Sequence, residues 1–133
     1  MNTIVLGYDD SPEAGRALER AAELAKALGA RVIVASVARV VLASPRGAGP
    51  YDPADPPERH RELAQTAAST LSERGVQAEA TSGVGDAADA IVALADESDA
   101  DLVVVGMSHH SRFFGGVSDD VAEHARCDVL LVH

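Results

Sequence analysis

What this sequence has little of narrows it first. Its 133 residues contain one cysteine, Cys127, so no disulfide can close within the chain and packing must supply the stability. The only aromatic residues are Tyr8, Tyr51, Phe113 and Phe114, against a hydrophobic content of 47%. The core is therefore expected to be built from Val, Leu, Ile and Ala, a composition suited to helices packed on a sheet. No apolar run approaches the ~20 residues that cross a bilayer; Leu102 to Val105, Val129 to Val132 and their like are short bursts. Met1-Asn2-Thr3 leads straight into Ile4-Val5-Leu6 with no basic region and no small-residue cleavage site. No secretion signal is read, and the expected location is the cytoplasm, off the membrane. Positive charge is scarce: 11 Lys and Arg against 21 Asp and Glu give a formal net charge of -10. Such a field repels a nucleic-acid backbone and excludes general nucleic-acid binding.

What is present alternates between strand and helix signals over one domain, residues 1–133. Thr3 to Tyr8 is continuous and apolar, the mark of a strand buried on both faces. Ser11 is a good N-cap and Pro12 suits a first helical position; Leu18, Ala21, Ala25 and Leu28 then recur at helical steps up to Gly29, a C-cap. Arg31 to Val37 is a second strand. Residues 39–57 carry Pro45, Gly47, Gly49, Pro50, Pro53, Pro56 and Pro57 and read as a flexible loop. Glu58 to Arg74 returns to helical spacing, and Val76 to Ser82 is a weaker alternating strand. Gly83-Val84-Gly85-Asp86 caps a third helix with Ala87, Ile91, Leu94 and Ala95 on its apolar face. Asp101 to Gly106 is the clearest buried strand; Met107 to Gly116 is a loop, Val117 to His124 a short helix and Asp128 to Val132 a last strand. Strands alternating with helices through right-handed crossovers predict a doubly wound parallel α/β sheet.

In such a sheet the ligand crevice lies beyond the carboxyl ends of the strands, where strand order reverses. Gly7-Tyr8-Asp9-Asp10-Ser11 follows the first strand, and Gly106-Met107-Ser108-His109, running to Gly115-Gly116, follows the fourth. Glycines before a helix N-terminus offer backbone N–H groups to phosphate oxygens, although the same glycines also serve simple turns. Neither G-x-G-x-x-G after the first strand nor G-x-x-x-x-G-K-[ST] occurs, and the sole lysine, Lys26, lies within the first helix, which excludes classical dinucleotide and P-loop chemistry. Asp9 reads either as a ligand or as a turn residue beside Ser11, and Asp10 as a solvated side chain. His109-His110 and the lone pair His124 with Cys127 fall short of the ligands a metal site needs. Cys127 reads as a small filler, Ser11 and Ser118 as cap and helix-start residues, and no spacing points to a catalytic triad.

Three stretches together resemble a universal stress protein domain. They are Ile4 through Pro12, Ala21 through Ala30, and Asp101 through Gly106 with Val117-Ser118-Asp119 and His124 through Val132. The resemblance implies a parallel sheet in the order 3-2-1-4-5 with helices on both faces, of the adenine nucleotide alpha hydrolase-like kind. It also implies a homodimer through the last strand, whose exposed edge pairs with its copy. Members that bind ATP carry G-x2-G-x9-G-[ST] after strand four. Here Gly106 matches the first glycine, His109 stands at the second, Gly115 matches the third in a loop about four residues shorter, and Gly116 stands where Ser or Thr belongs. Asp9 matches the aspartate that holds the ribose, and Val37 the residue lining the adenine. Gly7, Tyr8, Ser108, Val117 and Ser118 complete the expected nucleotide site. The implied function is a stress-response regulatory module that binds ATP, ADP or AMP, with Mg accompanying ATP, and signals to a regulatory protein partner. The alternative is a dimeric interaction module that takes no nucleotide. No general base, metal or attacking water is positioned by the sequence, so an enzyme is not expected and any hydrolysis of ATP is expected to be slow.

Overall fold

The computed structural model describes residues 1–39, 55–107 and 116–133. Along the chain run β1 (Thr3–Gly7), α1 (Pro12–Leu28), β2 (Arg31–Ala38), α2 (Pro57–Glu73), β3 (Ala78–Val84), α3 (Ala87–Glu97), β4 (Leu102–Gly106), α4 (Val117–His124) and β5 (Asp128–Val132). Every strand pairing is parallel, as the alternation of elements predicts, and the order is β3-β2-β1-β4-β5, as the family resemblance implies.

Two helix layers account for the apolar pattern. Ile4, Leu6, Val32, Val34 and Val104 face Ala17, Ala21 and Ala25 of α1 and Ala64, Ala67 and Leu71 of α2. Successive strand residues point to opposite faces, so Val5, Ile33, Val103 and Val105 meet Ala88, Ile91 and Ala95 of α3 and Val121 of α4. All five residues of β1 are buried, which is why its sequence shows no alternation. Alanine on the helix faces lets the backbones approach closely, so the core closes with hardly any aromatic side chain.

Local signals act as read. Ser11 Oγ accepts the Ala14 N–H at 3.1 Å, Gly29 ends α1 at φ +67°, and Asp86 Oδ1 accepts the Asp89 N–H at 2.9 Å. Boundaries shift where specific hydrogen bonds decide them. The Val76 N–H donates back to Leu71 O at 3.1 Å, finishing the turn after α2, so β3 starts at Ala78 and not at Val76. Helix α2 begins at Pro57, inside the stretch read as loop; residues 40–54 of that stretch lie outside the described residues. Tyr8 is just past β1, although its N–H still donates to Ala35 O at 2.9 Å. Among the described residues no helix is long and apolar enough to cross a membrane.

The chain moves from β1 to β2 and β3 on one side and to β4 and β5 on the other. Strand order therefore reverses between β1 and β4, where Gly7 pairs with Val105.

Candidate functional site

The crevice at this reversal is bounded first by two glycines, and both have packing reasons to be glycine. A Cβ on Gly7 would come within 2.9 Å of Ile91 Cδ1 and of Val105 Cγ1. A Cβ on Gly106 would stand 2.5 Å from Glu13 C, 2.7 Å from Glu13 O and 2.8 Å from Ala14 N. The first turn of α1 thus lies directly against the end of β4, and Gly106 is demanded by that contact whatever the crevice holds.

Beyond β1 the chain turns through Asp9 and Asp10 into α1. Asp9 is exposed at the strand tip, and its Oδ1 accepts the Ser11 N–H at 3.0 Å. The turn reading of Asp9 therefore holds: one oxygen ties the turn, and the side chain is otherwise exposed. Asp10 adopts φ +75°, unusual for a residue with a Cβ. The half-buried Tyr8 packs against the α1 and α2 layer. Burial, then the charges of Asp10 and Asp9, raise its phenol above the ordinary range. Val37, two residues past the Ala35 partner of Gly7, is half-buried at the end of β2.

On the β4 side, Gly116 is the N-cap of α4, and its carbonyl accepts the Asp119 and Asp120 N–H groups at 3.0 and 3.3 Å. A helix leaves its first amides without intrahelical acceptors, and here those belong to the exposed Val117 and the buried Ser118, with no capping side chain. The helix dipole favours an anion there, while Asp119 and Asp120 already supply negative charge. Gly7, Tyr8, Asp9 and Gly106 thus stand at the adjoining tips of β1 and β4, with Val37 at the tip of β2. Ser108, His109 and Gly115 lie outside the described residues.

The residues outside the crevice answer other sequence readings. His124 Nδ1 hydrogen-bonds Asp120 O at 2.9 Å in the last turn of α4, a bond that, with the nearby Glu123, Asp120 and Asp89 charges, raises its pKa above the usual histidine range. Burial raises the Cys127 thiol, keeping it protonated and a poor nucleophile.

One constellation escapes the sequence. Ser36 Oγ meets His60 Nδ1 at 2.7 Å, and His60 Nε2 reaches both oxygens of Asp55 at 2.8 Å. Arg59 then donates from Nη1 to Asp55 and from Nη2 to Asp10, each at 2.7 Å. Burial raises the Asp55 carboxyl, but the His60 and Arg59 hydrogen bonds outweigh it and hold the group below the usual carboxylate range. The serine, histidine and aspartate are connected as in a hydrolase, but Ser36 is only 1% exposed beneath α2 and offers no surface to a substrate. Asp10, read as merely solvated, is ion-paired. The signal was a polar residue in an apolar register: Ser36 follows Val32 and Val34 on one strand face, and His60 heads the stripe of Ala64, Ala67 and Leu71 on α2.

With this geometry in hand, comparison with known proteins is direct. A family model described as "Universal stress protein family" matches residues 1–133. Universal stress protein Rv1636 of Mycobacterium tuberculosis (strain ATCC 25618 / H37Rv) is 35% identical over 147 residues, covering 98% of this chain and 95% of the relative. A universal stress protein solved in complex with cAMP has a TM-score of 0.75 and 30% identity, covering 99% of this chain and 97% of the other. The universal stress protein from Archaeoglobus fulgidus in complex with dAMP has a TM-score of 0.74 and 28% identity, covering 100% of this chain and 98% of the other.

Proposed function

The chain belongs to the universal stress protein family, and from that premise we propose that it is a stress-response regulatory module that binds an adenine nucleotide at the tips of β1 and β4. The carrying observation is the convergence at the strand reversal of the exposed Asp9 carboxylate with the carboxyl ends of β1, β4 and β2. An exposed carboxylate accepts the two hydroxyls of a ribose, and Val37 offers an apolar wall to the base. The uncapped first amides of α4 suit a phosphate. Similar proteins solved with cAMP and dAMP support an adenosine monophosphate as the ligand class. ATP and ADP share the same adenosine, and Mg would accompany ATP. Asp9 would hold the ribose and the Val117 and Ser118 amides the phosphate, with Ser108, His109, Gly115 and Gly116 forming the rest of the loop. No residue here is assigned to catalysis.

The assembly that goes with this reading is a cytoplasmic homodimer through β5 that engages a regulatory protein. Its support is the sheet edge: among the described residues β5 pairs only with β4, and its Val129, Leu130 and Leu131 are half-buried, beside a groove lined by Arg16, Glu19 and Arg20. A second reading, a dimeric interaction module that takes no nucleotide, is favoured by one observation. Gly106, the surviving first glycine of the loop pattern, is already required by the α1 contact and is therefore no sign of a ligand.

Isothermal titration with AMP, and with ATP and magnesium, decides between them, using Asp9→Ala and Asp9→Asn. The asparagine keeps an oxygen for the Ser11 N–H and removes the charge. Saturable binding by the wild type that both variants weaken supports the nucleotide reading; no heat up to millimolar ligand leaves the second.

A further inference from the structure

Five side chains from three parts of the fold form one uninterrupted hydrogen-bonded line. It starts at Ser36 on β2, passes through His60 in the first turn of α2 and Asp55 just before that helix, and reaches Asp10 in the β1–α1 turn through Arg59. The successive separations are 2.7, 2.8, 2.7 and 2.7 Å. Its inner end is buried, with Ser36 and His60 at 1% and 4% exposure inside the packed core. Its outer end is the residue at φ +75° beside Asp9.

A side chain with a Cβ is disfavoured at that φ, aspartate less than most, so restraints from the surroundings shift the turn toward it. Two restraints do so. From within the turn, Asp9 Oδ1 holds the Ser11 N–H; from outside, Arg59 Nη2 holds Asp10 Oδ2. Arg59 is itself oriented, because its other terminal nitrogen is on Asp55, which His60 grips by both oxygens. A planar guanidinium spanning two carboxylates fixes their relative placement in a way that a flexible ammonium does not.

We infer that Arg59 is a positioning residue for the nucleotide site: oriented by Asp55 and the buried Ser36–His60 pair, it holds Asp10 in the left-handed conformation and so presents the Asp9 carboxylate to the ribose. This inference rests on the nucleotide-binding reading above. It has a specific consequence. Glycine adopts the left-handed conformation without help, so the effect of losing Arg59 must shrink when position 10 is glycine.

The test is a double-mutant cycle read by isothermal titration with AMP and with adenosine on wild type, Arg59→Ala, Asp10→Gly and the double variant. Arg59→Ala is expected to weaken both ligands by the same factor of about five, the most that a partly exposed ion pair supports. In the Asp10→Gly background it is expected to cost nothing further. A loss for AMP without one for adenosine would mean that Arg59 acts through charge on the phosphate, and equal losses in both backgrounds would mean that it does not act through Asp10. Either result overturns the inference. Amide exchange of Ser11 gives a readout that needs no ligand. Faster exchange in Arg59→Ala is the expected result, and an unchanged rate refutes the clamp. If the wild type binds neither ligand, the proposed function and the ribose role fall together, and Ser11 exchange still decides whether Arg59 holds the turn.

Discussion

Replacing Gly106 by alanine tests whether the end of β4 is shaped by packing or by a ligand. The new methyl would stand 2.5 Å from Glu13 C, 2.7 Å from Glu13 O and 2.8 Å from Ala14 N. All three are backbone atoms of the first turn of α1, which is held by the Ser11 cap and by the contacts of Ala17 and Ala21 with the sheet. No rotamer change relieves such a clash, so helix and strand must separate. Overpacking costs about 1–3 kcal/mol, and a backbone obstacle places this substitution at or above the upper end. With a urea dependence of about 1–3 kcal/mol per molar, the unfolding midpoint followed by circular dichroism should drop by roughly 1–3 M. The loss should be the same with no nucleotide in the buffer. A variant that unfolds at the wild-type midpoint yet fails to bind nucleotide would refute the packing account and make Gly106 a ligand residue.

Gly15 gives the opposite expectation. It lies within α1 with nothing within 4 Å of an added Cβ, so Gly15→Ala should raise stability by about 0.5–1 kcal/mol in the same assay, and a loss would refute the open geometry. Ser36→Ala leaves the buried His60 Nδ1 without its partner and should cost about 1–3 kcal/mol in urea unfolding; no change would mean that the 2.7 Å contact carries no energy. Asp101 Oδ2 accepts the Asn2 and Thr3 N–H groups at 2.7 and 3.1 Å, and these bonds lower its carboxyl in the folded protein. A folded-state pKa below the unfolded one contributes stability that is fully present above the unfolded value, about 4, and is lost as pH falls from there through the lower folded value. The stability gap between wild type and Asp101→Asn should therefore be present at neutral pH and close on acidification. A gap that does not change with pH would refute the role of its charge.

Much of the fold is legible without coordinates because its causes are local. Ser11 with Pro12 starts α1, Gly29 ends it and Asp86 starts α3, each through bonds that span a few residues. The apolar runs of β1 and β4 announce strands covered on both faces, and Asp9 at the end of the first run marks the crevice. From these the sequence by itself determined the alternation of elements, the two-layer burial and the end of the sheet at which to look. The start of β3, the pressure of α1 on Gly106 and the line from Ser36 to Asp10 were decided only by the tertiary structure. β3 begins where Ala78 pairs with Val32, and the other two likewise join atoms dozens of residues apart in the chain, such as the 49 between Arg59 and Asp10. Propensity and periodicity act within one element, whereas these contacts arise from how α1 and α2 settle on the sheet. A serine or a histidine in an apolar register signals a buried partner, but which partner it meets depends on that packing.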